Sequence, residues 1–228
     1  MHVLREWDLQ ITVDQVLRAQ GADPKVVHQR SHKLVELSER ALKEGMPLLT
    51  PIVAYREMKV KTIQHERLIL SEGGVLSGKA LVRHLAGAKY LLIIACTIGN
   101  LLEEYVSGIL KFDSPYGLAL DGLGSAAIET LAVQACAFLG EHSQQAGLQA
   151  TLPFSPGMEG WPTGAGQQQV FRLVEADTAG IRLLPSGMMI PQKSLTMVVG
   201  LGPEVDSQGR VCDYCNMRQS CRYQDQYA

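Results

Sequence analysis

The run Tyr90-Leu91-Leu92-Ile93-Ile94-Ala95-Cys96 restricts the fold more than any other part of the chain. It is short, branched and apolar, the pattern of a strand buried within a sheet. Extended to residue 98 it is still far short of the roughly 20 apolar residues that a membrane helix needs. The longest helical signal runs from about residue 121 to residue 145. Ile128, Leu131, Ala132, Ala135 and Leu139 fall there on one face at three- and four-residue spacing. Its first turns are unusually slim, with Gly122, Gly124, Ser125, Ala126 and Ala127. Such turns suit close helix packing, and they equally suit approach of the backbone to a ligand.

Other elements are marked by their ends. Thr12-Val13-Asp14-Gln15 fits a capping box, with Gly21 as the stop. Asp23-Pro24 supplies an N-cap and a proline at the first helical position. Val27, Leu34, Leu37 and Ala41 then mark one side of a single helix that Gly45 ends. Residues 48–60 read as extended, Gly73-Gly74 breaks the chain, and Ser77 can cap a short helix through Leu85. Asn100 caps a helix to Gly108. Residues 151–166 hold Pro153, Pro156, Gly157, Gly160, Pro162, Gly164 and Gly166, with Phe154 and Trp161 among them, so they form a structured loop rather than a linker. A helix follows, with Val170, Phe171 and Val174 inward and Gly180 as its stop. Ile181-Arg182-Leu183-Leu184 and residues 195–201 read as strands around an irregular Met188-Met189-Ile190-Pro191 segment. Strands and helices mix without strict alternation. The expected fold is α+β, a mostly antiparallel twisted sheet flanked by helices.

Composition bounds the function. Hydrophobic residues make up 46% of the 228, which is enough for a core and excludes a disordered chain. Lys plus Arg number 21 against 23 Asp plus Glu, so no basic excess points to nucleic acid as the main partner. The start, Met1-His2-Val3-Leu4-Arg5-Glu6-Trp7, lacks the apolar core of a signal peptide. We therefore expect a soluble cytoplasmic protein without a membrane partner. Three of the five cysteines, Cys212, Cys215 and Cys221, fall in the last seventeen residues with C-x2-C-x5-C spacing. In a reducing compartment a C-x2-C pair can bite one metal from a single knuckle. The set is one ligand short of a closed zinc site. An iron–sulfur cluster held by three thiolates, or free or oxidised thiols, are the alternatives. Cys96 in mid-strand and Cys136 in mid-helix are expected to be buried and inert. His28 and His32 stand four apart, but Gln29, Arg30 and Lys33 around them mark a solvated face.

Two stretches carry a resemblance. They are Phe154-Ser155-Pro156-Gly157-Met158-Glu159-Gly160-Trp161-Pro162 and Gly180-Ile181-Arg182-Leu183-Leu184-Pro185-Ser186-Gly187-Met188-Met189-Ile190-Pro191-Gln192-Lys193-Ser194. Together they resemble the activation domain of cobalamin-dependent methionine synthase, and more closely its stand-alone bacterial versions. Asp121-Gly122-Leu123-Gly124-Ser125-Ala126-Ala127-Ile128-Glu129 is similar to the family's ligand-side helix, and Thr97-Ile98-Gly99 to the strand end before it. The resemblance covers residues 1–202, with residues 203–228 as a cysteine-containing tail.

The resemblance implies an S-adenosylmethionine site and a cobalamin-bearing methyltransferase or corrinoid protein as partner. The chain would then be an accessory reactivation protein that supports reductive methylation of cobalt. Glu129 matches the family's acidic helix position, facing the donor's amino group or sulfonium, although a glutamate on such a helix also fits a solvated face. Ser155, Pro156 and Gly157 would cradle the donor through backbone, or form a tight turn with no ligand. Trp161 and Met189 would supply apolar walls, or Trp161 would anchor its own loop. Lys193 and Ser194 could donate to a carboxylate, and Pro191 marks a strand edge or bulge. Two positions depart from the family: Pro153 replaces its Arg, which would hold the donor carboxylate in a two-pronged fork, and Met158 replaces its Tyr. The alternative functions are a non-catalytic metal-binding or interaction module with a lost donor site, and an electron-transfer activator using a tail iron–sulfur cluster.

Overall fold

The computed structural model describes residues 1–144 and 147–219. The chain opens with strand β1 (His2–Leu4) and helices α1 (Val13–Ala19), α2 (Pro24–Arg30) and α3 (His32–Gly45). The capping box of α1 forms as its sequence predicts, with the Thr12 side chain accepting from the Gln15 N–H. Asp23 caps α2 with Pro24 in its first turn. The single helix expected over residues 24–45 is instead two. Ser31 (φ −147°, ψ 79°) leaves the helical region, so the pattern continues across a corner.

Next come β2 (Ile52–Gln64), β3 (Arg67–Leu70), β4 (Val75–Ser77), α4 (Lys79–His84), β5 (Tyr90–Thr97) and α5 (Leu101–Ile109). Ser77 ends β4, and Gly78 takes the cap position of α4 that the sequence reading gave to Ser77. Helix α6 (Ser114–Gln144) starts before the slim turns at which its periodic signal begins. Its missed start is the segment Asp113-Ser114-Pro115, in which the Asp113 carboxylate accepts from the Tyr116 N–H at 3.2 Å. The chain ends with β6 (Gln149–Ala150), α7 (Thr163–Val174), β7 (Arg182–Leu183), β8 (Met189–Ile190) and β9 (Ser194–Gly202). Helix α7 stops at Val174, ahead of Gly180, because Glu175 takes a left-handed conformation (φ 48°).

The main sheet runs β4-β3-β2-β5-β9-β6, with β1 on the free side of β2. Every described pairing is antiparallel. Strand β2 pairs with β5 over residues 52–59, then with β3 beyond an irregularity between Val60 and Thr62. A bulge of this kind bends the strand and curls the sheet. Strand β5 lies between β2 and β9 and is covered on both sides. Leu92, Ile94 and Cys96 enter a core shared with α1, α3, α5 and α6. Leu91, Ile93 and Ala95 enter a second core with Phe154, Trp161 and the inner face of α7. That double burial is why its sequence is a continuous apolar run rather than an alternating one.

Helix α6 is long and apolar enough to cross a membrane by length and composition. Here Leu120, Leu123, Ala127, Leu131 and Ala135 are all 0% exposed within the first core. Its slim turns are filled by neighbours. A Cβ on Gly122 would stand 2.7 Å from the Gln20 side chain and 3.0 Å from the Val16 carbonyl, and one on Gly124 would meet Leu102 and Lys193 at 3.3 Å. The described part of the tail packs against the second core. Val205 is buried, and the Tyr214 ring lies 4.7 Å from His84 and 5.9 Å from Phe154.

Candidate functional site

The residues singled out by sequence fall into two groups, divided by the sheet. On the helix-covered face, Glu129 projects from α6 near Cys96 and is partly buried. Burial alone pushes its carboxyl pKa up. Among the described residues no hydrogen bond or ion pair meets this carboxylate. One and two turns earlier on α6 lie Ser125 and Asp121. Both are engaged by Lys193, whose Nζ stands 2.8 Å from each. The lysine that sequence placed as a donor to ligand is therefore committed to α6, with its stem over Gly124. The i, i+4 spacing of Asp121, Ser125 and Glu129 is a stripe that could have flagged this partnership. Ser194 is buried and donates to the Pro191 carbonyl at 2.7 Å. The Gln192 N–H reaches Glu103 at 2.9 Å. A small cleft of about 150 Å³ lies beside Lys193, lined also by Leu102, Glu103 and Asp121.

On the other face, the Ser-Pro-Gly loop is bonded to itself and to the tail. The Gly157 N–H donates to the Trp161 carbonyl at 2.8 Å, and the Met158 N–H to the Ser155 carbonyl at 3.1 Å. The Ser155 N–H points to the Met158 sulfur at 3.3 Å. The Gly157 carbonyl accepts from the Asn216 amide at 2.7 Å, and the Glu159 N–H donates to the Tyr214 carbonyl at 2.9 Å. Gly157 is required by its backbone, at φ +101°. Trp161 is 1% exposed and stacks on Phe154 at 6.0 Å, so it anchors the loop. Met158 and Met189 pack on the same core, half-buried.

The two groups meet through the segment after α7. Gly187, in the turn before β8, comes against Gly164 of α7, and a few residues later Lys193 crosses to α6. Pro191 lies between them, just past the end of β8. Phe154 bridges to Val198 with its ring in the second core. A separate groove of about 630 Å³, lined by Tyr55, Glu57, Lys89, Tyr90, Phe138 and His142, contains none of the residues expected from sequence.

Of the two cysteines expected to be buried, Cys96 is buried and Cys136 half-buried. Cys96 is fully buried and its thiol pKa is raised, mainly by that burial. Burial pushes the Cys136 thiol up to about 12, and its sulfur sits 3.3 Å from that of Met197. Cys212 and Cys215 form one tight turn, with the Cys215 N–H donating to the Cys212 carbonyl at 3.2 Å. Cys221 lies outside the described residues. Among the described residues no three His, Cys, Asp or Glu side chains gather into a metal-sized cluster. His28 pairs with Asp14 at 2.8 Å on an exposed surface.

The architecture has a solved counterpart. The structure described as the MetH reactivation domain bound to AdoHcy superposes with a TM-score of 0.69 over 94% of this chain and 83% of that one, at 12% sequence identity. This chain has the fold of the MetH reactivation domain. No protein-family model matches its sequence, and no curated protein does. At 12% identity the likeness is one of fold. The α+β architecture with its curled antiparallel sheet agrees with the class expected from sequence.

Proposed function

We propose that this protein binds S-adenosylmethionine and docks on a cobalamin-bearing methyltransferase or corrinoid protein in the cytoplasm, where it supports reductive methylation of the cobalt. The observation that carries the reading is the reactivation-domain fold over 94% of the chain, shared with a protein solved with AdoHcy. The chemistry of Glu129 supports it. An unpaired, desolvated carboxylate on a core helix is costly unless a cation meets it, and the donor brings an ammonium and a sulfonium. The fit is partial, because Pro153 offers nothing to the donor's carboxylate.

In this reading Glu129 orients the cationic end of the donor. The Lys193 bridge to Asp121 and Ser125 fixes the spacing between α6 and the 188–194 segment. Ser155, Pro156 and Gly157 shape the rim, Met158, Trp161 and Met189 form its apolar backing, and Pro191 and Ser194 hold the segment's turn. The bound donor supplies a methyl group made electrophilic by its sulfonium. The protein's own task is orientation and exclusion of water, so no side chain is assigned acid–base work. Titration calorimetry with S-adenosylmethionine tests the reading: saturable heat is expected, and no heat with no thermal shift at millimolar ligand overturns it. Capture of a cobalamin-loaded corrinoid protein by the immobilised chain tests the partner.

A second reading rests on the tail, whose Cys212-to-Cys215 turn lies next to residues bonded to the Ser-Pro-Gly loop. With Cys221 it would hold zinc or an iron–sulfur cluster, making the chain a metal-binding interaction module or an electron donor. Metal analysis and an absorption spectrum of anaerobically purified protein separate these, and a colourless, metal-free sample counts against both.

A further inference from the structure

The described part of the tail sets two thiols in a single turn. Residues Val211–Tyr214 wind into a 3₁₀ turn, and the Cys215 N–H closes on the Cys212 carbonyl at 3.2 Å. A 3₁₀ turn rises about 2 Å per residue and stacks the side chains of residues three apart, so the Cys212 and Cys215 Cα atoms stand about 6 Å from each other with their side chains on one side. That separation is within the span of a disulfide. Both thiols are free and partly exposed. Cys96 and Cys136 differ from them, because burial raises both of those thiols and makes them poor nucleophiles. One carboxylate braces the turn. Asp213 accepts from the Arg210 N–H at 3.0 Å, and it pairs with the Arg210 guanidinium at 3.5 Å and with that of Arg218 at 3.2 Å.

The same few residues hold the Ser-Pro-Gly loop. Tyr214 lies between the two cysteines. Its carbonyl accepts from the Glu159 N–H at 2.9 Å, and its ring packs 4.7 Å from His84 and 5.9 Å from Phe154. Asn216, directly after Cys215, donates to the Gly157 carbonyl at 2.7 Å. These bonds to the loop start inside the cysteine pair or one residue beyond it. Whatever fixes or frees the turn therefore acts on the loop.

We infer that Cys212 and Cys215 form a thiol–disulfide couple that sets how firmly the tail holds the Ser-Pro-Gly loop. The oxidant is a small-molecule disulfide of the class of oxidised glutathione. The thiolate of one cysteine attacks a sulfur of that disulfide and releases one thiol, leaving a mixed disulfide. The second cysteine, deprotonated, attacks the mixed disulfide at the cysteine sulfur and releases the other thiol. The pair gives up two electrons and two protons, and the oxidant takes up both as its two thiols. An external dithiol reverses the exchange. The bridge closes the turn covalently and removes open conformations in which Tyr214 and Asn216 come away from the loop. Oxidation fastens the tail and reduction loosens it. The couple stands whether or not the donor reading does; where the loop is the ligand rim proposed above, that rim comes under thiol control.

The test equilibrates the full chain in glutathione buffers of graded oxidation, with free thiols alkylated and bridges mapped by mass spectrometry. The oxidised wild type should lose two hydrogens and yield a Cys212-to-Cys215 bridge, and Cys221→Ser should do the same. In the bridged form, hydrogen exchange at the Glu159 amide should slow about tenfold, while the amides of β5 stay unchanged. The double variant Cys212→Ser, Cys215→Ser should keep its Tm and show the same Glu159 exchange in every buffer. A stable mixed disulfide with glutathione, a bridge to Cys221, or a bridge that leaves Glu159 exchange unaltered overturns the couple. A chain that holds a metal and keeps its thiols in the oxidant overturns it as well, in favour of the metal-binding reading of the tail. Calorimetry with S-adenosylmethionine is a separate measurement, so a failed donor reading leaves the couple standing.

Discussion

At the scale of single residues, Glu129 is the group whose surroundings say most. Burial raises its pKa, so the folded chain holds that proton more tightly than the unfolded one. Its contribution to stability is then full below the ordinary carboxyl range and is lost as pH rises through the raised value. Glu129→Gln should accordingly raise Tm by a few degrees at neutral pH, and calorimetric scans should show the gain vanish as pH falls toward 4. The same variant should weaken S-adenosylmethionine by about tenfold or more if the carboxylate meets the donor's cation. An unchanged affinity would place the donor elsewhere. Sequence could mark this glutamate by its position on a slim, apolar helix, but not its lack of a partner. That lack depends on Lys193, 64 positions away, choosing Asp121 and Ser125 instead.

At the scale of elements, local chemistry was legible wherever a start or stop is written in adjacent residues. The Thr12 box, the Asp23-Pro24 start and the apolar run of β5 all behave as their neighbours dictate. The reading failed where an interruption is set by backbone geometry alone, as at Ser31, or where a left-handed Glu175 ends a helix without glycine. The slim turns of α6 show the limit most clearly. Their composition admitted packing or ligand approach, and only the position of α1 decides that Gly122 is a packing residue. Gly122→Ala should therefore cost about 1–3 kcal/mol, because the added carbon meets the Val16 carbonyl, which cannot move aside, as well as the Gln20 side chain. Gly108→Ala on α5, where a Cβ meets nothing within 4 Å, should stabilise by about 0.5–1 kcal/mol. Urea denaturation of the two variants checks the opposite signs.

At the scale of the whole molecule, the tail is joined to the Ser-Pro-Gly loop by two hydrogen bonds and a ring contact, which no reading of its own sequence could foresee. Tyr214→Ala should cost about 1–2 kcal/mol through the lost aromatic packing. In hydrogen exchange it should speed the amides of residues 157–161 while leaving those of β5 unchanged. Equal protection in both segments would show that the tail adds nothing to the loop. The central sheet has a further consequence, during synthesis. Strand β5 finds β2 within the chain already made, but its other edge waits for β9, about a hundred residues later. At ribosomal speed that interval is roughly 5–20 s, during which an apolar strand stands with one edge open. That edge is a template for pairing with other chains until β9 arrives, so slowing translation between β5 and β9 should lower the soluble yield.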